Sequence, residues 1–383
     1  MLCSIFTVLL LAGGIASAHK PGHDHSHEQA VRRRFLDIHT NTLNHCSSKH
    51  VASGLHQRAV NRRDLRARSL MASSSSHAVK ARQTSSLGES HKSDKPYNAS
   101  TDPKEVFSGN NACVLNPETT EGPFYVLGQD IRTDLVETQQ GVPLYLDFQL
   151  IDVGTCEPIE GAFIEMWNAN STGVYSGALA VVNGIGMSDV ANLERNFLRG
   201  AQQTDEDGAV QFRTLFPGHY EGRAPHIHVV SHFNATARAN NTIWDSHVTH
   251  AGQVFFDQDV VDAVKQLPPY STNTQNLMRN ADDTILLQEA ATSDPFFQYV
   301  LLGDSLADGI FAWFSFGVNT SFTRDIMAAA MRFEQGNEMV TTNPKIPGLD
   351  QLFPGGFPTA YQPGFGGAAA PAAPTGNAEA GEN

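Results

Sequence analysis

Basic charge is scarce in most of this chain. From Thr101 onward there are 12 Lys and Arg against 34 Asp and Glu, a balance of −22. That acidity argues against nucleic acid as the main partner. Cysteine is rarer still, with four in 383 residues. Only Cys46, Cys113 and Cys156 lie beyond the first eighteen residues, so one of the three has no partner within the chain. No stretch after residue 18 is long and apolar enough to span a bilayer, so no membrane partner is expected. The polar end Ala380-Gly381-Glu382-Asn383 is not a lipid-anchor signal. Internal repeats are absent.

What is present divides the chain into four. Residues 1–18 read as a secretory signal, with the apolar run Ile5 to Leu11 and the small-x-small pattern Ala16-Ser17-Ala18, though without Lys or Arg ahead of it. Such a leader implies export to the extracellular space, and the cysteine usage fits an oxidising compartment. Residues 19–100 form a basic, His- and Ser-rich arm, 14 Lys and Arg against 6 Asp and Glu. Its weak apolar periodicity predicts a disordered arm or pro-segment, with one helix around Glu28 to Asp37. Arg62-Arg63 and Lys80-Ala81-Arg82 are candidate processing sites. Residues 346–383 are rich in Pro, Gly and Ala and are expected to be a disordered tail.

Between them, residues 101–345 carry strand patterning. Leu144, Leu146, Phe148 and Leu150 alternate with Tyr145, Asp147 and Gln149. Ala162, Ile164 and Met166 do the same, as do Val210, Phe212 and Thr214 after the turn Asp205-Glu206-Asp207-Gly208. Short strands with Gly, Asp and Pro turns predict an all-β fold, an antiparallel β-sandwich with short helices. Asp325 to Phe333 has a short helical pattern.

The chemistry gathers in Phe216-Pro217-Gly218-His219-Tyr220-Glu221-Gly222-Arg223-Ala224-Pro225-His226-Ile227-His228. The apolar residues that follow read as a strand, so His226 and His228 project from one face and can reach one metal ion. A phenol nearby is a hard anionic donor that suits Fe(III) better than Zn(II) or Cu(I). A second tyrosine, Tyr175, closes Trp167-Asn168-Ala169-Asn170-Ser171-Thr172-Gly173-Val174-Tyr175-Ser176. An H-x-H pair alone is usually two surface histidines, and a tyrosine at a strand end is usually packing.

The ordered segments N-A-N-x-x-G-x-Y-S, P-G-x-Y and R-x-x-H-I-H, with Glu121-Gly122-Pro123-Phe124-Tyr125 and Phe197-Leu198-Arg199-Gly200, resemble the intradiol ring-cleavage dioxygenases, from about Ser100 to Asn343. The resemblance implies non-haem Fe(III) held by Tyr175, Tyr220, His226 and His228. It implies a small aromatic diol, a catechol or hydroxyquinol, cleaved by O2 between its hydroxyl-bearing carbons. It gives Tyr220 a second role as the phenolate that leaves the metal and takes a substrate proton. It points Arg223 at the substrate and places Tyr125 in or behind the pocket. Asn168 and the short gap from Tyr220 to His226 depart from bacterial members and look like a secreted fungal-type branch. Cys113 before the first core motif and Cys156 in the turn Gly154 to Pro158 are paired, as secreted members suggest, leaving Cys46 free or intermolecular.

Two other functions stay open on the sequence. One is a β-sandwich binding protein of the extracellular matrix or cell wall that has lost turnover. The other is a copper oxidase using His19, His23, His25 and His27, a tract more simply read as solvated histidines. Asn98, Asn170, Asn234, Asn240 and Asn319 head N-x-S/T acceptors, and Asn170, inside a site motif, is expected to be bare.

Overall fold

A computed structural model describes residues 43–72, 90–93, 101–108, 112–114, 124–332 (except 181–182, 187, 234, 246, 249, 292, 322–323 and 326–327) and 339–340. The leader, the histidine tract, the helix expected over 28–37, Lys80-Ala81-Arg82 and the C-terminal tail lie outside them.

The protein is a mostly-β sandwich. Strands run in the order β1 (Ala112–Val114), β2 (Val126–Leu127), β3 (Pro143–Asp152), β4 (Phe163–Trp167), β5 (Arg199–Gln203), β6 (Ala209–Leu215), β7 (His226–His232), β8 (His247–Val248) and β9 (His250–Phe255). They continue as β10 (Gln298–Leu301), β11 (Ile310–Val318), β12 (Arg324–Asp325), β13 (Ala330–Arg332) and β14 (Met339–Val340). One sheet is ordered β1-β11-β3-β6, with β10 on the first half of the β11 edge. The other is ordered β5-β4-β7-β9 and is antiparallel throughout. In the first sheet β11 runs parallel to both β1 and β3, a departure from the purely antiparallel expectation.

Alternation builds the core. Leu144, Leu146, Phe148 and Leu150 of β3, Val210 and Phe212 of β6, and Phe314 and Phe316 of β11 face Ile164, Met166, Ile227, Val229 and Val254 of the second sheet. These side chains are almost wholly removed from water, the term that drives two sheets face to face. Each sheet is left with an outer face bearing the alternate residues.

Residues 43–72 of the arm pack on the outer face of the first sheet, which corrects the sequence reading for that part. Residues expected to be irregular form α1 (Ser47–Ala52) and α2 (Leu55–Ala72), and α3 (Pro103–Phe107) lies beside them. Helix α2 buries Leu55, Ala59, Val60, Arg63 and Ala67 along one stripe. Val60 and Ala67 pack with Val106, Phe107, Phe311 and Trp313. The stripe was hard to read because, beside Leu55 and Val60, it is made of two alanines and an arginine. Arg63, 2 % exposed, and Arg62 share Asp147 at the middle of β3, and Arg58 pairs with Asp207. Two of the helix's arginines, Arg62 and Arg63, are therefore neutralised inside the molecule. Arg62-Arg63 is not an accessible cleavage loop, because it is helical and largely buried.

A disulfide fixes the same layer. Cys46 is bonded to Cys156, with Cα atoms 5.3 Å apart. The expected Cys113–Cys156 bond is thus incorrect. With the arm folded, His45 bonds Val153 O at 2.9 Å and His50 donates to Cys156 O at 3.1 Å, so Cys46 meets the turn. Among the described residues the helix expected over 325–333 is not found, since Arg324–Asp325 pairs with β8 and Ala330–Arg332 with β2 and β14. Strand pairing overrides the local helical pattern there. Among the described residues no helix is long and apolar enough to cross a membrane.

Candidate functional site

The candidate site occupies the outer face of the second sheet. Across β5, β4, β7 and β9, Arg199, Trp167, His228 and Gln253 stand in one register row. His226 is two residues from His228 on the same strand face, as alternation requires. The two Nε2 atoms are 3.0 Å apart. His226 Nδ1 donates to Ala224 O at 2.6 Å, which leaves its Nε2 with a lone pair aimed at His228. The His228 ring is fixed by stacking on Trp167, centroids 4.7 Å apart and 3° from parallel.

Two loops bring phenols to this pair. Tyr175 Oη lies 3.5 Å from His226 Nε2, and the rings of Tyr175 and Tyr220 are 5.4 Å apart. Phe124 stacks on Tyr175 and meets Tyr220 edge-on. Tyr175, Tyr220, His226 and His228 are thus gathered in one buried cluster, as the motif order suggested. Tyr125 packs on Trp167 and donates to Glu165 at 3.3 Å, behind the cluster.

The motif residues between ligand candidates have structural tasks. Asn170 Oδ1 accepts from Thr172 N, Thr172 Oγ1 and Val174 N, shaping the turn before Tyr175. Its amide nitrogen donates to Gln139, so it stands engaged in the fold. Asn168 bridges Leu215 O and Thr214 Oγ1, tying the end of β4 to β6. Tyr175 is held through its backbone: Asn183 accepts from its N–H and donates to its carbonyl, each at 2.9 Å, and Asn192 donates to that carbonyl at 2.7 Å. Arg199 Nε donates to Ser176 O, which explains the Phe197 to Gly200 segment. Asn183 and Asn192 carried no sequence signal, since isolated asparagines in a loop are usually turn formers.

Electrostatics keep the cluster neutral without a cation. Burial, then the charge of Arg223, pull His226 down to about 3. Burial, His226 and Arg223 hold His228 well below its ordinary value. Burial, then Tyr220, push Tyr175 far up. Burial also raises Tyr220, against the pull of Arg223. Both imidazoles therefore offer lone pairs at working pH, whereas both phenols keep their protons until a strong cation displaces them. Two neutral nitrogens and two displaceable phenol protons form a donor set that fits a hard trivalent metal.

Arg223 is buried and reaches this cluster, but it is also ion-paired. Its Nε donates to Asp283 Oδ2 at 2.9 Å and its Nη2 to Gln253 Oε1 at 2.5 Å. The carboxylate comes from sixty residues downstream, beyond any local pattern. The neighbouring histidines are placed elsewhere: His219 bonds Gln275 O, His250 accepts from Asn319 N, and His232 pairs with Glu165.

Comparison with known proteins agrees with this geometry. Residues 120–266 match a family model described as Dioxygenase. The catechol 1,2-dioxygenase 1 of Acinetobacter lwoffii is 34% identical over 110 residues, 27% of this chain and 32% of that one. The catechol 1,2-dioxygenase of Acinetobacter baylyi is 31% identical over 109 residues, again 27% and 32%. The chain thus spans about a third of the length of the curated relatives it matches. A solved intradiol ring-cleavage dioxygenase from Tetranychus urticae is 32% identical, covering 54% of this chain and 95% of that one, with a TM-score of 0.44. On sequence, this chain belongs to the intradiol ring-cleavage dioxygenase family.

Proposed function

We propose that the chain cleaves small aromatic diols, of catechol or hydroxyquinol type, between the two hydroxyl-bearing carbons. One O2 is consumed per diol and both oxygen atoms enter a muconate-type diacid. Tyr175, Tyr220, His226 and His228 would hold Fe(III). When bound, the ferric ion supplies Lewis-acid activation of the diol and of its reaction with O2. The observation that carries the reading is the convergence of two buried phenols on the His226–His228 pair.

The residues then have separable tasks. The imidazoles, kept neutral by burial, bind without losing a proton. Tyr220, drawn toward its phenolate by Arg223, accepts a proton from an incoming diol hydroxyl. Arg223 keeps its charge at every working pH and stabilises negative charge that builds on the ring. Phe124 and Trp167 pack against Tyr175 and His228 and keep water from the donor atoms. Export to an oxidising compartment is part of the same proposal, supported by the leader-like segment and the Cys46–Cys156 bond.

The test is metal analysis and oxygen uptake on protein expressed with iron. The reading expects one iron per chain, a phenolate-to-Fe(III) absorption band, and one O2 consumed per diol. Stoichiometric zinc or copper without visible absorption, and no oxygen uptake with any diol, would remove it.

A further inference from the structure

Asp283 is 1% exposed and serves two parts of the molecule at once. Its Oδ1 accepts from Ile285 N at 2.9 Å and Leu286 N at 3.1 Å, capping the helix α5 that spans Thr284–Ala290 (α4 being Gln258–Lys265). Its Oδ2 accepts from Arg223 Nε at 2.9 Å and from Ala224 N at 2.8 Å. The Ala224 carbonyl in turn takes the His226 Nδ1 hydrogen at 2.6 Å. One carboxylate therefore fixes the direction of the guanidinium and the N–H of Ala224, the residue whose carbonyl sets the His226 tautomer. The anchor is rigid, because the same side chain caps the start of a helix.

We propose that Asp283 is a positioning residue for the ring-cleaving reaction. It acts through Arg223 and the backbone N–H of Ala224 and touches neither substrate nor metal. The proposal rests on the functional reading above. Asn is an effective helix cap, so Asp283→Asn keeps α5. An amide has one acceptor oxygen, however, and with that oxygen on the cap its NH2 group faces Arg223 Nε, donor against donor. The guanidinium must then turn away.

The experiment compares wild type, Asp283→Asn, Arg223→Lys and the double variant, all as full chains. The first readout needs neither metal nor activity: the slowly exchanging Nε–H of the buried Arg223 in 15N-arginine-labelled protein. It should be lost or displaced in Asp283→Asn; melting temperature should fall as well, because buried Arg223 loses its counter-charge, so the signal is read well below the variant's transition. In iron-loaded protein the charge-transfer band should persist. The turnover number kcat should fall by about 10- to 100-fold with little change in KM, the effect of misaiming a group rather than losing it. In the Arg223→Lys background the same change should add less than about twofold.

An unchanged Nε–H signal overturns the proposal, as does a displaced signal with kcat within about twofold of wild type. A full further loss in the double variant also overturns it. Wild-type protein that consumes no oxygen with any diol overturns the functional reading instead. The Nε–H signal then decides alone whether Asp283 orients Arg223.

Discussion

Gly173 and Gly218 interlock the two tyrosine loops. A Cβ on Gly173 would lie 2.1 Å from His219 O, and one on Gly218 would lie 2.1 Å from Asn170 O. Each glycine precedes its tyrosine by two residues, and each lets the other loop's backbone approach. Gly173 also has a φ of +79°. Gly218→Ala should cost about 1–3 kcal/mol through overpacking and lower iron uptake with it. Gly161 is a control, with φ +80° but no neighbour nearer than 3.9 Å. Melting temperature and iron content would check this; equal behaviour of Gly173→Ala and Gly161→Ala would show that steric interlock is not the reason.

Asp147 anchors the arm layer. It is 0% exposed and accepts from Arg62, Arg63 and Gln211. Asp147→Asn leaves Arg63 buried without its counter-charge, which should cost about 3–5 kcal/mol. Burial alone would raise the Asp147 carboxyl, but Arg62 and Arg63 outweigh it and hold it below 3.8. A depressed carboxyl contributes stability above its unfolded value and loses it as pH falls through the folded one. Wild type should therefore weaken on acidification below pH 3.8, and Asp147→Asn should lose less over that range. Denaturant melts at a series of pH values would show parallel losses if Asp147 has no such part.

The Cys46–Cys156 bond closes a sequence separation of 110 residues. Removing both cysteines should cost about 4–5 kcal/mol in the chain-entropy account. Peptide mapping without reduction should recover Cys46 joined to Cys156. Recovery of Cys113 joined to Cys156 would restore the sequence expectation and contradict the structure.

His91 ties the segment 90–93 to the sandwich. Its ring bonds Asp257 at 2.6 Å and Asp294 at 3.1 Å and stacks on Phe296. Burial works against its charge, but the two carboxylates prevail and raise it to about 9. Its stabilising effect is complete below 6.5 and fades as pH rises to about 9. His232, between Glu165 and Asp245, is also raised to about 9. Melting temperature should fall between those pH values, and His91→Asn should lessen the fall without abolishing it. An identical slope in the variant would count against the tie.

The strands β3, β4, β6 and β7 were legible because period-two alternation and sheet packing point the same way. The site cluster was legible because its residues lie in short, ordered motifs. Asp283, Asn183 and Asn192 were not, since each acts on a partner distant in sequence or through backbone groups. The arm was misread for a related reason. Its helix buries Arg63 against Asp147, eighty-four residues away, and a stripe of alanine and arginine looks solvated until that partner is known. The parallel β11 depends on a long return of the chain that no local pattern records.

Tyr220 and His226 should separate when substituted. Both are buried in the cluster, with ring centroids 5.9 Å apart. His226 offers a lone pair with its hydrogen fixed on Ala224 O, so it binds a metal at no proton cost. His226→Ala removes that nitrogen, and Ala224 O loses a donor as well. Iron occupancy itself should drop. Tyr220 has a different balance. Its phenol is raised by burial and must be deprotonated before it binds, while Arg223 favours the charged form. Tyr175 and both histidines remain in Tyr220→Phe, and the ring still fills its place against Phe124. That variant should keep most of its iron and lose turnover, by about 10²–10⁴-fold if the phenolate is the proton acceptor. Its charge-transfer band should shift, since one of two phenolates is gone. Iron content, visible spectrum and oxygen uptake on the same preparations decide the matter. Equal iron loss in the two variants would mean that Tyr220 acts only as a ligand, and an unaltered rate in Tyr220→Phe would remove it from the proton transfer altogether.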